Sequence, residues 1–148
     1  MRATCVLATV VVAGLLSVAS AYAQNPPQEF WTARTERDEA RSKRDRLTFE
    51  RLTAAKFVVV DQTGRVENRT ERAERLARLG GPGPIVTTQR TNERTAMYNN
   101  DTVVLFWQEN GPSGMQNVTE TWVRDDGQWK VAAAHVSQSP PGPGRGGR

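Results

Sequence analysis

The sequence predicts an α+β domain in which three N-terminal helices pack on a cone-shaped, strongly bent antiparallel sheet. Helical patterns fill the first half of the chain and strand patterns fill the second half, with a glycine- and proline-rich break at residues 80–84 between them. Short turns separate the later strands, which is typical of an antiparallel meander.

Three helices are expected before the break. Residues 29–43 lack proline and glycine and carry only a thin apolar stripe, so this helix should lie across the edge of the core. Asp45 can cap a second, short helix. Phe57 and the three β-branched valines at 58–60 predict a strand that ends in a turn. Asn68 and Glu71 can form a capping box that opens the third helix.

Four strands are expected after the break, over residues 85–98, 102–109, 118–124 and 129–137. Successive side chains of a strand point to opposite faces. Trp129 and Val131 are natural core residues, and His135 shares their parity. His135, the only histidine of the chain, should therefore point inward.

Residues 1–23 have the pattern of a secretory signal, with Arg2, an apolar run, and small residues before a predicted cleavage after Ala23. The run is shorter than the roughly 20 residues of a membrane span. We therefore expect a periplasmic or secreted protein with no stable membrane insertion after cleavage; an uncleaved anchor is the alternative.

One domain should occupy residues 24–138. The only cysteine, Cys5, lies in the predicted signal, so the mature chain should contain no disulfide. Residues 139–148 consist of serine, proline, glycine and arginine alone, which cannot form a core, and they predict a disordered tail.

The charge pattern argues against nucleic-acid binding. The chain has 20 basic and 16 acidic residues, a net charge of +4. The two signs are interleaved at helical spacing, as in Arg34 with Asp38 and Glu39 with Lys43. A surface that follows phosphates needs basic residues without this neutralisation. Solvated helix surfaces are the expected explanation.

Two segments resemble the nuclear transport factor 2-like superfamily. RDRLTFERLTAAKFVVVDQTG (44–64) resembles its opening helix and strand, and WVRDDGQWKVAAAHVSQ (122–138) resembles the closing hairpin of its SnoaL-like and domain-of-unknown-function 4440 branches. The resemblance implies a cone with an internal cavity and a homodimer formed through the outer sheet surface. It leaves function open, because the superfamily includes isomerases, dehydratases, cyclases and binding modules. The tyrosine and paired aspartates of the isomerases have no matching positions here.

The candidate catalytic residues are His135, Glu120 and Asp61. An inward imidazole can act as a general base near neutral pH, and either carboxylate could orient it. Glu120 lies on the neighbouring predicted strand, and Asp61 ends the first one. The alternative is a structural histidine and, for Asp61, a role in a turn.

The candidate ligand-binding residues are Arg94, Tyr98 and three tryptophans. Arg94 could hold an anionic group, Tyr98 could donate a hydrogen bond to an oxyanion, and the indoles of Trp31, Trp107 and Trp122 would suit a flat apolar ligand. The alternatives are a solvated arginine, tryptophans of the core, and an aromatic dimer face on the outer sheet.

The sequence therefore predicts that a homodimer binds a small, mainly apolar molecule in the cone. Neither a metal nor a cofactor is expected, since the mature chain offers one histidine, no cysteine and no carboxylate cluster. The first alternative is a cofactor-free acid/base enzyme of the isomerase, dehydratase or cyclase type that uses His135. The second is a protein-interaction module that uses the outer sheet face.

Overall fold

The computed structural model describes residues 25–78, 89–111 and 114–139. The predicted signal, the whole break at residues 80–84, the first four residues (85–88) of the predicted strand that follows it, and residues 140–148 of the predicted tail lie outside these ranges. The described elements, in chain order, are α1 (Gln28–Lys43), α2 (Arg46–Arg51), β1 (Thr53–Val60), β2 (Val66–Asn68), α3 (Arg69–Arg78), β3 (Thr91–Tyr98), β4 (Thr102–Gly111), β5 (Gly114–Asp125) and β6 (Gln128–Gln138).

All six described strands form one bent, open sheet in the order β2-β1-β6-β5-β4-β3. Strands β3 to β6 form the predicted antiparallel meander. The predicted α+β fold with a bent antiparallel sheet is confirmed, and among the described strands the pairing of β1 with β6 is parallel. After β2 and α3 the chain enters the sheet at its far edge, and the meander then returns β6 to the side of β1.

The predicted turn and cap residues begin the elements as expected. The Asp45 carboxylate accepts a hydrogen bond of 3.1 Å from the Thr48 backbone N–H at the start of α2. Asn68 and Glu71 exchange hydrogen bonds of 2.9 and 3.0 Å, which is the reciprocal pattern of a capping box. The hairpin between β5 and β6 turns at Gly127, whose φ of 75° suits glycine.

The core lies between α1 and the inner face of the sheet. Phe30 of α1 makes edge contacts with Trp122 and Trp129, at centroid distances of 5.4 and 5.5 Å. Strands β1, β4, β5 and β6 supply most of the other core side chains. The prediction that α1 lies across the edge is therefore wrong: the helix crosses the inner face, and the buried side that it presents is Phe30, Ala33, Arg34, Arg37 and Ala40.

Truncation to alanine should destabilise the fold strongly at Leu105 and hardly at all at Leu47. Leu105 is fully buried in β4, whereas Leu47 of α2 is 79% exposed. We expect Leu105→Ala to lower the free energy of unfolding by about 3 kcal/mol through lost apolar contact and a cavity. Leu47→Ala should change it by less than about 0.5 kcal/mol. Urea unfolding followed by tryptophan fluorescence measures both, and equal effects would contradict this placement of the core.

Candidate functional site

A β-bulge in β6 decides which face of the sheet carries His135. Trp122 of β5 faces Val131, but the preceding Thr121 faces Ala133, so Ala132 is an extra residue on β6. One extra residue reverses the side-chain alternation that follows it. His135 consequently lies exposed on the outer face, opposite Thr119. The expectation that it points inward is wrong.

The three predicted catalytic residues do not come together. Glu120 is buried on the inner face, opposite Ala134, whereas His135 lies on the outer face. Asp61 holds the turn after β1, where its carboxylate accepts hydrogen bonds from the Thr63 hydroxyl and from two backbone N–H groups. The Thr63 hydroxyl contributes most to lowering the pKa of Asp61. This is the turn role that the sequence left as the alternative for Asp61.

Glu120 forms a buried ion pair with α1. The Arg37 guanidinium donates to Glu120 Oε1 at 2.8 Å, and the two side chains are only 4% and 7% exposed. The other carboxylate oxygen accepts the Trp122 indole N–H at 3.0 Å. Burial lowers the pKa of Arg37, and the negative charge of Glu120 opposes that effect. The Glu120 carboxylate is therefore held in contacts with Arg37 and Trp122 that stabilise the packing of α1 on the sheet.

Two further arginines extend this polar layer between α1 and β3. Arg34 donates two hydrogen bonds to Glu93, at 2.8 and 2.7 Å, and Arg90 pairs with Asp38 at 2.7 Å. The bonds from Arg34 lower the pKa of Glu93. A carboxylate with a lowered pKa stabilises the fold above its ordinary titration range, and that contribution is lost as the pH falls.

The ring of Trp107 lies within this layer. The guanidinium carbons of Arg34 and Arg90 lie 5.5 and 4.6 Å from its ring centroid, at cation–π distance. Its indole N–H donates to Glu109 at 2.8 Å. The arginines of this layer were missed at the sequence level because charged residues are expected in water. Their spacing could have revealed their burial, because Arg34 and Arg37 follow Phe30 and Ala33 at i+4 on one helix face.

A second buried carboxylate lies on β2. Glu67 is 1% exposed and is approached by Arg72 at 3.1 Å, Arg75 at 2.8 Å and Arg65 at 3.3 Å. Glu67 faces the buried Val59 of β1, so it also points to the inner side of the sheet. Two of the three buried glutamates among the described residues, Glu67 and Glu120, are therefore paired with arginines, whereas Glu109 accepts the Trp107 indole N–H.

The predicted ligand-binding residues divide between the two faces. Trp107 and Trp122 are fully buried in the core, and Trp31 packs against its edge. Arg94 and Tyr98 point outward from β3 and are exposed. These five residues therefore do not line one inner cavity. The alternatives of core tryptophans and a solvated arginine describe the structure.

Two open grooves run along α1. One, of about 370 Å³, is lined by α1 residues alone, including Trp31 and Glu36. The other, of about 420 Å³, lies between α1 and the β5–β6 hairpin and is lined by Leu52, Trp129, Arg124 and neighbouring residues. The indole N–H of Trp129 is buried and has no hydrogen-bond partner among the described residues.

The outer face of the sheet carries two rows of outward side chains that cross the strands. The first row is Arg94, Phe106, Thr119, His135, Val60 and Val66. The second row is Ala96, Val104, Thr121, Ala133, Val58 and Asn68. We call these rows, with Tyr98 at their end, the outer face. None of the described helices packs on it, since the buried side chains of the helices join the inner clusters.

The described part of the chain contains neither a cluster of metal ligands nor a helix that could span a membrane. No group of three or more histidine, cysteine, aspartate or glutamate residues there is arranged to hold a metal ion. No helix within the described ranges is both long enough and apolar enough to cross a membrane.

Comparison with solved structures identifies the fold. A nuclear transport factor 2-like protein from Cytophaga hutchinsonii superposes with a TM-score of 0.66 at 14% identity, over 78% of this chain and 100% of that one. The association domain of CaMKII from C. elegans gives 0.62 at 17% identity, over 75% and 94%. A dehydratase, provisionally so named, from the same structural family in Streptomyces avermitilis gives 0.59 at 20% identity, over 76% and 95%.

No family model and no curated protein sequence matches the chain. The structural neighbours nevertheless agree with one another, and the resemblance predicted from the sequence is confirmed at the level of fold. The chain has the nuclear transport factor 2-like fold.

The Arg37–Glu120 pair should behave as a buried ion pair whose members depend on each other. We expect Arg37→Met to lower the free energy of unfolding by about 3–5 kcal/mol, because it leaves Glu120 buried without its counter-charge. Adding Glu120→Gln should recover at least about 1 kcal/mol, since the amide is neutral and still accepts the Trp122 N–H. Denaturant unfolding of the single and double variants measures the coupling.

Lys43→Met provides the matched control. Lys43 pairs with Glu39 at 2.7 Å on the solvent side of α1, with side chains 68% and 57% exposed. Surface pairs of this kind contribute little to stability. Loss of the same stability in Lys43→Met and Arg37→Met, or additive effects in the double variant, would contradict a special role for the buried pair.

Proposed function

We propose that this chain is a self-associating module that forms a homodimer through the outer face. The observation that supports this proposal is the contrast between the two faces of one sheet. The inner face is filled by core side chains and paired charges. The outer face has no covering element among the described residues, although it carries Val58, Phe106 and Tyr98.

The outer face has about the size that a specific dimer requires. Strands in a sheet lie about 4.8 Å apart, and outward residues of one strand recur about every 6.7 Å. Six strands with about three outward positions each cover roughly 600 Å² of projected area. Specific dimers bury about 800 Å² per partner, and accessible area exceeds projected area because the side chains protrude. The whole outer face would therefore be used.

The charge distribution favours a second copy over a charged partner. A two-fold axis places a surface against itself, so any charge near the axis would meet its own copy. The middle of the outer face, on β4, β5, β6 and β1, carries seven uncharged side chains and one histidine: Val104, Phe106, Thr119, Thr121, Ala133, Val58, Val60 and His135. Charged residues lie toward its ends, as Arg94 does on β3.

One structural neighbour supports association as a use of this fold. The C. elegans CaMKII domain is named for association and shares the fold at 17% identity.

We also propose that this chain acts outside the cytoplasm, since its first 23 residues have the pattern of a secretory signal. The acid/base alternative lacks comparable support, because His135 and Glu120 lie on opposite faces of the sheet.

Binding of a small, mainly apolar molecule is the second candidate, and the groove beside the β5–β6 hairpin favours it. Its volume of about 420 Å³ is within the range of small-molecule sites. Leu52 and Trp129 supply apolar surface, and Arg124 could contact a hydrogen-bond acceptor or an anionic group on the ligand. Native mass spectrometry of protein purified from its own host tests this candidate through the mass of any retained molecule.

Val58→Asp should disrupt the homodimer without unfolding the chain. Val58 is 45% exposed in the middle of the outer face, so a carboxylate there would be buried against the second copy without a partner. We expect the dimer dissociation constant to rise by at least about tenfold, as 1.4 kcal/mol of desolvation already gives that factor. Sedimentation velocity over a concentration series measures it.

Leu47→Asp is the matched control, because it exchanges an exposed aliphatic residue for aspartate on α2, away from the outer face. It should leave the dissociation constant unchanged. Circular dichroism must show that both variants are folded. A wild-type chain that sediments as a monomer at all concentrations, or equal weakening by both substitutions, would reject association through the outer face.

A further inference from the structure

We propose that His135 makes self-association dependent on pH: the dimer forms when the imidazole is neutral and dissociates when it is protonated. This inference rests on the proposed function, since it concerns regulation of the same surface. It gives the single histidine of the chain a role in regulating assembly in place of the predicted role in catalysis.

The position of His135 supports this role. Its backbone pairs with Thr119 of β5 on one side and with Val60 of β1 on the other. Phe106 lies beyond Thr119 in the same row, and Val66 lies beyond Val60. The imidazole is therefore in the interior of the outer face, with a neighbouring strand on each side, and a second copy that covers this face would exclude water from it.

No described charge in these rows is placed to compensate a protonated imidazole. On the strands beside it, the outward residues are Asn117, Thr119, Thr121 and Val123 of β5 and Lys56, Val58 and Val60 of β1. Lys56 is exposed and has the same sign as a protonated imidazole, so it cannot compensate that charge. The next strands outward contribute Phe106 of β4 and Val66 of β2, which are uncharged.

The charged groups closest along the chain are engaged elsewhere or carry the same sign. Asp61 follows Val60, but its carboxylate accepts hydrogen bonds from Thr63 and from backbone N–H groups in the turn. Arg65 precedes β2 and contacts Glu67 at 3.3 Å. Lys130 and Asp125 pair with each other at 2.9 Å beside the β5–β6 hairpin. Arg94 on β3 is positive and would oppose a second positive charge.

The direction of the pH effect follows from burial. Moving a charged imidazole from water into an uncharged interface is unfavourable, so the dimer binds fewer protons than two separate chains. Proton linkage then strengthens association as the pH rises and weakens it as the pH falls. Histidine side chains change charge between about pH 5 and 8. Each two-fold dimer contains two copies of His135, so the cost of burying a charged imidazole applies at both copies.

Sedimentation velocity of the purified chain at about pH 7.5 and about pH 5.5 tests the inference. We expect the dissociation constant of the wild-type dimer to be at least about tenfold higher at the lower pH. His135→Gln, which stays neutral, should form the dimer at both pH values with nearly equal constants. His135→Arg, which stays charged, should weaken the dimer at both. Circular dichroism confirms that each protein is folded under each condition, and the exposed position of residue 135 makes unfolding by either change unexpected.

The outcomes separate this inference from the function on which it rests. A wild-type monomer at both pH values would overturn both proposals. A wild-type dimer with equal constants at both pH values would overturn only the role of His135. A pH response of the same size in His135→Gln would do the same, since another group would then be responsible.

Discussion

The ion pair between Arg37 and Glu120 is the interaction on which the arrangement of this domain depends. The apolar stripe of α1 is thin, and Phe30 and Ala33 alone cover only one end of the inner face. Further along the helix, contact with the sheet is made by arginines whose charges must be neutralised in a region closed to water. Because a buried charge needs its partner at a defined position, the pair restricts the rotation and register of α1 on the sheet.

This solution to helix packing has consequences for the use of the fold. The Glu120 carboxylate, which could otherwise act on a ligand, is shared between Arg37 and the Trp122 indole. Glu93 and Glu109 are similarly engaged, with Arg34 and with Trp107. Polar groups on the inner face of the sheet thus stabilise the domain itself, and a partner is more readily accommodated on the outer face.

Local chemistry made part of this structure predictable. The caps at Asp45 and Asn68, the hairpin at Gly127 and the meander all follow from residues within a few positions of one another. The bulge at Ala132 was not predictable in this way, because it lies in a run of three alanines and alanine at any of these positions has the same side chain. The predicted facing of the β6 side chains is right before the bulge and reversed after it, so His135 lies on the outer face and not on the predicted inner face. The buried arginines were also missed, since their burial depends on glutamates 59 and 83 positions away.

The partition of charge across the molecule links solubility to association. Most of the charged residues that the structure describes lie on the helices and near the strand ends, whereas the middle of the outer face carries uncharged side chains and His135. Interleaved charges keep the helical surface hydrated and unsuited to self-association. A neutral face of valine, threonine and alanine has weaker hydration and can be covered at a small desolvation penalty. Within such a face one titratable side chain has a large relative effect, because little else there responds to solution conditions.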